Sequence, residues 1–180
     1  LAQGGVDYEW SSEAMFDALE SVLQHLQPRR VLALPPDHTR YDSRAGELTE
    51  AMYRILGDRL CDVMPALGTH EAMNEVQLKM MFGTLPHALI REHRWRNDVI
   101  QLGEIDAEFV SAVTEGMYHK AWPAQTNRLL LEGGHDLIVS LGQVVPHEVI
   151  GMANYTKNVF VGVGGSAGIH ESHYLSALYG

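Results

Sequence analysis

Three polar clusters in this chain carry side chains able to move protons, grip anions or form covalent bonds. The first is Asp37-His38-Thr39-Arg40, an anion, an imidazole, a hydroxyl and a guanidinium in four consecutive positions. Arginine binds a carboxylate or phosphate through two parallel hydrogen bonds, and aspartate orients a hydroxyl or an imidazole. The second is Gly68-Thr69-His70-Glu71, in which His70 can exchange a proton near neutral pH. The third spans residues 144–173. It holds His147, Lys157 ten positions later and His173 sixteen beyond that, with His170 as a near rival. A lysine entering a buried segment can be a nucleophile or carry a covalent cofactor, and a histidine in this setting can ligate a metal.

Each cluster also has an ordinary reading. The first can be a polar turn capped by Asp37, His70 and His147 plain loop histidines, Lys157 a surface lysine, and His173 a residue in the first turn of a helix. Gly162, Gly164, Gly165 and Gly168 form a loop of the kind that cradles phosphate. Their order is not the dinucleotide fingerprint, and a simple turn explains them as well. Paired cysteines, the zinc-protease histidine pair, the serine elbow and the Walker lysine motif are all missing from the sequence.

Apolar periodicity indicates the elements that must hold these clusters. Ser11-Ser12-Glu13 caps a helix whose apolar face runs from Met15 to Leu26, ended by Pro28. Val31–Leu34 reads as a buried strand, Arg44–Leu56 as a second helix, and Leu60–Met64 as a second strand. Asn74 caps a helix through Met81, and Pro86 opens another to about Trp95. Further strands are expected at 98–102, at 108–113 (paired near Trp122), at 136–140 and at 159–163. Short helices are expected at 127–132 and from Ser172 onward. Strands that are continuous apolar runs alternate with helices, so the expected fold class is α/β, a mainly parallel sheet with helices on both faces. Ligands in such sheets sit beyond the carboxyl ends of the strands, where all three clusters lie.

Composition narrows the function classes. A formal net charge of −10 at pH 7 argues against nucleic-acid binding, which needs a basic footprint. No apolar run reaches the length of a membrane span. Cys61 is the single cysteine, so an internal disulfide and a thiolate zinc site are both excluded, and a cytoplasmic setting is the default. Ten histidines exceed what packing requires, so some are expected in a site.

Taken in order, the Asp-His-Thr-Arg cluster, the Gly-x-His, and the His147–Lys157–His173 spacing resemble the nickel-pincer-nucleotide lactate racemase family. The resemblance runs from about Val31 to Tyr179 and rests on order and spacing together. It implies that residues 1–180 form one α/β domain, the N-terminal cofactor-binding half of a longer two-domain protein. It implies a nickel-pincer nucleotide, a pyridinium mononucleotide holding nickel through one carbon and two sulfurs, joined to Lys157 and made by dedicated biosynthetic enzymes. His173 matches the nickel ligand. His70 and His147 match the catalytic proton donor and acceptor. Asp37, His38, Thr39 and Arg40 match the segment lining the cofactor, with Arg40 also in reach of an anionic substrate. The implied activity is racemisation or epimerisation of a 2-hydroxy acid by proton-coupled hydride transfer, which needs a base on each face of the carbon. Ala153-Asn154-Tyr155-Thr156 replaces the family's small-residue run before the lysine, Val163-Gly164 replaces a proline-glycine, and the usual arginine-proline after His70 is missing. These changes surround the pocket and bear on the substrate. Two rival readings are a zinc-type hydrolase using His70, His147 and His173, and a non-catalytic module for a nucleotide or small acid.

Overall fold

The computed structural model describes residues 5–147 and 149–179. Residues 1–4, Glu148 and Gly180 lie outside them. Helix α1 (Ser12–Leu26) begins where Ser11 accepts a hydrogen bond from the Ala14 amide. Strand β1 (Val31–Leu34) follows, then a 3-10 turn (His38–Ser43), α2 (Ala45–Leu56) and β2 (Leu60–Val63). Helix α3 (Glu75–Phe82) carries a capping box in which Asn74 and Gln77 satisfy each other's backbone amides. Strand β3 (Val99–Ile105), α4 (Ala107–Val113), β4 (Trp122–Asn127) and α5 (Leu129–Glu132) come next. The chain ends with β5 (Leu137–Ser140), β6 (Pro146–His147), β7 (Gly151–Met152), a π-helical turn (Asn158–Gly162) and α6 (Ser166–Tyr179). No helix among the described residues is long and apolar enough to cross a membrane.

The central sheet has the order β2-β1-β5 and is parallel throughout. Strand β1 lies in its middle, and all four of its residues are buried. Side chains of a strand alternate between faces. Val31 and Ala33 accordingly pack with Leu23, Met52, Leu56, Met81 and Phe82 from α1, α2 and α3. Leu32 and Leu34 pack on the opposite face with Met64, Val163 and Val159. The sheet is thus covered on both sides, and the fold class is α/β with a parallel three-stranded sheet flanked by helices. Asp62 on β2 is buried but paired: Arg91 Nε lies 2.5 Å and His135 Nε2 2.7 Å from its two oxygens.

Four expected elements differ. Residues 159–163 are not a strand. Their valines favour one, but the backbone closes a wide helical turn, with the Val163 amide donating to Asn158 O at 2.8 Å. Burial against the β1 face outweighs strand propensity here. Residues 108–113 form α4, because Asp106 accepts from the Phe109 amide at 2.6 Å and caps a helix. The partner of the Trp122 segment is β3, in an antiparallel pair that sets Ile105 opposite Trp122. The helix expected from Pro86 to Trp95 is a single 3-10 turn, His87–Leu89. Beyond it Ile90 extends beside Val63, and the Arg91 amide donates to Val63 O at 2.8 Å, so these residues serve the sheet edge. The last helix begins at Ser166, six residues before the expected Ser172.

The glycines of 162–168 serve close packing. A Cβ on Gly162 would sit 2.6 Å from the Ala66 Cβ, and one on Gly164 would sit 2.0 Å from Phe160 O. Gly162→Ala is expected to cost about 1–3 kcal/mol by overpacking against the loop after β2. Gly103→Ala, where a Cβ meets nothing within 4 Å, should shift stability by less than about 0.5 kcal/mol. Urea denaturation of both variants checks the contrast, and equal midpoints would refute it.

Candidate functional site

The carboxyl ends of β1 and β2 open onto one cleft of about 250 Å³, and the segment after β5 lines the smaller cavity beside it. Asp37, Thr39 and Arg40 reach it from the turn after β1, and Thr69 and His70 from the loop after β2. His147 comes from β6, Lys157 from the start of the π turn, and His173 from α6. That cavity, of about 50 Å³, shares Arg40, His147 and Lys157 with the cleft as walls. Of the residues the resemblance assigns to the site, only His38 is not on the cleft, and Glu71 and His170 do not line it either. His38 packs toward α3, where Gln77 Nε2 donates to its Nε2 at 2.9 Å, and its buried Nδ1 has no partner among the described residues.

Asp37 is 3% exposed and anchors the first cluster. One carboxylate oxygen accepts from the Thr39 amide at 3.0 Å and from the Thr39 hydroxyl; the other lies 2.6 Å from His70 Nδ1. Burial alone would raise its pKa, but the hydrogen bonds from Thr39 and His70 outweigh that and hold it below the usual carboxylate value. An ionised carboxylate only accepts, so in the neutral ring His70 carries its proton on Nδ1 and its lone pair on Nε2. His147 shows the opposite arrangement. The Val149 amide donates to its Nδ1 at 3.2 Å, which places the proton of the neutral ring on Nε2. One histidine of the cleft is thus set as an acceptor and the other as a donor.

Lys157 is half-buried, and no hydrogen bond ties its amine to a described residue. Desolvation, then repulsion from Arg40, lowers its pKa, and Asp37 opposes them only in part. His173 Nδ1 donates to Ile169 O at 2.7 Å, one turn back on α6. That bond fixes the ring and leaves Nε2 available as a metal ligand, the usual way a backbone carbonyl orients a ligating histidine. Among the described residues no three His, Cys, Asp or Glu side chains stand close enough to share a metal ion. The three-histidine zinc site of the hydrolase reading is therefore not assembled.

Reading the sequence missed the residues that position Lys157. Asn158 is 3% exposed and heads the apolar run. Its Nδ2 lies 3.3 Å from Leu34 O on β1, 3.0 Å from Ser140 Oγ on β5 and 3.4 Å from Leu141 O, and it also meets Asn154 Oδ1 at 3.1 Å. Asn154 itself adopts φ +62° and donates to Gly142 O at 2.9 Å. The backbone on either side of Lys157 is thereby pinned to two strand ends. The carbonyls of the π turn find partners elsewhere: Thr126 Oγ1 donates to Val159 O at 2.8 Å, and the Gly68 amide to Gly162 O at 2.7 Å. At the far end His93, 2% exposed, donates from Nε2 to Gly164 O at 2.9 Å and accepts from Asn127 Nδ2 at 3.0 Å. Desolvation lowers the His93 pKa and keeps the ring neutral. The available signal was an asparagine adjoining a valine-rich run, since a polar side chain there must find internal partners.

The sequence model of the lactate racemase N-terminal domain matches residues 16–179. The chain belongs to the lactate racemase N-terminal domain family. Among solved structures, a protein of Thermotoga maritima is similar at 26% identity and a TM-score of 0.79, over 94% of this chain and 42% of that one. The lactate racemase apoprotein of Thermoanaerobacterium thermosaccharolyticum shares the fold, with 19% identity and a TM-score of 0.65, over 88% of this chain and 38% of that one. The chain therefore spans about two fifths of the length of these proteins. No curated protein matches it.

Two outcomes follow from the Asp37 and Asn158 geometry. The folded Asp37 carboxyl releases its proton more readily than an unfolded one, whose usual value is 3.8. The stability it contributes is complete above that value and is lost as pH falls through the lower folded value. Asp37→Asn should therefore flatten the acid limb of stability against pH, measured as urea midpoints over a pH series; an unchanged limb would refute the assignment. Asn158→Ala removes the amide's bond to Leu141 O, while Leu34 O keeps the Leu141 amide, and should cost about 1–3 kcal/mol by the same measurement.

Proposed function

We propose that this lactate racemase N-terminal domain is the cofactor-bearing part of a 2-hydroxy-acid racemase or epimerase that uses a nickel-pincer nucleotide. The observation that carries this reading is one cleft combining a poised amine, a guanidinium and two histidines of opposite tautomer. The residues present fit the group. Lys157 offers a desolvated amine without a hydrogen-bond partner among the described residues, suited to a covalent link. His173 offers an oriented Nε2, a donor type that suits nickel. Asp37, Thr39 and Arg40 line the same space. When bound, the cofactor supplies the acceptor and donor of hydride.

The chain's own residues account for the rest of the reaction. Arg40 has no ion-pair partner among the described residues, and it holds the substrate carboxylate through its planar fork. His70, kept by Asp37 with its lone pair on Nε2, takes the proton from the 2-hydroxyl as hydride leaves the carbon. The substrate passes through a planar 2-keto acid. His147 returns a proton from Nε2 to the oxygen as hydride adds to the other face. The two rings exchange roles for the reverse enantiomer, as racemisation requires. Val149, Ile150, Val161 and Ile169 form an apolar wall of the cleft, which limits water around the transferring groups.

The protein is to be co-expressed with the enzymes that build the cofactor, and its intact mass measured. A single adduct mapping to Lys157 is expected, with nickel in proportion. His173→Ala should keep the adduct and lose the nickel. Unmodified Lys157 under conditions that load a known lactate racemase would overturn the proposal. In loaded protein, His70→Ala and His147→Ala should each lower the rate of interconversion by about 10²–10⁴.

A further inference from the structure

We propose that Lys157, before any cofactor is attached, captures small 2-keto acids as imines, with Arg40 holding their carboxylate. This does not rest on the nickel reading. It follows from where the amine stands. Lys157 and Arg40 are walls shared by the main cleft and the adjoining cavity, and they are close enough to influence each other's charge, so a small anion held by Arg40 would lie in the space the amine lines. The amine is half-buried and unbonded among the described residues, whereas Lys79 is exposed and Lys120 is exposed and ion-paired to Glu171. Asn158 and Asn154 fix the backbone on both sides of Lys157, which limits the wandering open to a surface lysine. Burial and Arg40 also favour the uncharged amine, which is the reactive form.

The step balances without an oxidant or reductant. The Nζ lone pair attacks the keto carbon and a C–N bond forms. The carbonyl π pair moves to oxygen, which takes a proton from His147 Nε2. Nitrogen gives up a proton to His70 Nε2. The C–O bond then breaks as the hydroxyl leaves as water with the proton His70 returns, the nitrogen pair closes the C=N bond, and the iminium proton goes back to His147 Nε2. The net change is amine plus ketone to imine plus water. A 2-keto acid is also the planar species that racemisation of a 2-hydroxy acid passes through. Capture at Lys157 would therefore set keto acid in competition with cofactor attachment.

The test uses the chain as isolated from cells lacking the cofactor enzymes. It is treated with pyruvate and cyanoborohydride, digested, and its three lysines compared by mass spectrometry. Carboxyethylation of Lys157 is expected to run about tenfold ahead of Lys79 and Lys120. Acetone, which lacks the carboxylate, should label Lys157 about tenfold more slowly than pyruvate. Labelling of Lys157 no faster than the other two lysines overturns the proposal, as does equal labelling by acetone. Comparison within one wild-type chain removes any dependence on a variant's folding. Failure here leaves the nickel reading intact, and failure of the adduct measurement after co-expression leaves this one intact.

Discussion

The cleft exists because one helical turn is tied across the ends of two parallel strands. Asn158 makes that tie. Its amide reaches carbonyls of β1 and of the residue after β5 from a site closed to water. A buried amide must be satisfied, and this one finds its partners where the two strand ends lie side by side. Lys157 precedes Asn158, so its backbone is held beside those two strand ends. The same turn then fixes α6 through Val163 and Gly164, whose carbonyls are taken by the Asn127 amide and by His93. Lys157 and His173 are placed by one rigid segment, although sixteen residues separate them.

The π geometry has a physical reason. A turn one residue wider than an α-helix releases carbonyls from the internal ladder, and each must be met from outside. Thr126, Gly68 and Asn127 meet them. Two of these partners lie on β4 and one on the loop carrying His70. The hydrogen bonds that permit the wide turn therefore also register that loop and the β3–β4 pair against it. Gly162 allows the approach, because any side chain there would overlap Ala66.

Much of this was legible in the sequence and some was not. Val31–Leu34, Leu60 onward and the helix capped by Asn74 follow apolar period and cap chemistry closely, because their local preferences agree with their burial. The clusters at Asp37, His70 and Lys157 were visible as reactive types beyond strand ends. Residues 159–163 were misread since a valine run carries strand propensity, and only tertiary partners for its carbonyls make the turn possible. Residues 108–113 alternate over six positions as a strand would, but the Asp106 cap starts a helix there. His38 could not be separated from Asp37 by sequence, as a 3-10 turn sends neighbouring side chains in different directions. Asn158 and His93 act through bonds to distant backbone, which no local pattern records.

Charge makes the same point at the level of the site. The chain is strongly negative as a whole, yet Arg40 and Lys157 are the cations on the cleft and Asp37 its carboxylate, among the described residues. Net charge governs long-range behaviour, whereas recognition is decided within a few ångströms and in a lower dielectric. Asp37 is largely committed to Thr39 and His70, so it neutralises Arg40 and Lys157 only in part. The cations repel each other, which favours a bound anion and also favours an uncharged Lys157. Acylation of that amine would remove the repulsion and leave Arg40 as the cleft's remaining fixed cation. The fold thus holds a reactive amine and an anion receptor in tension, and either a carboxylate ligand or acylation of the lysine relieves it.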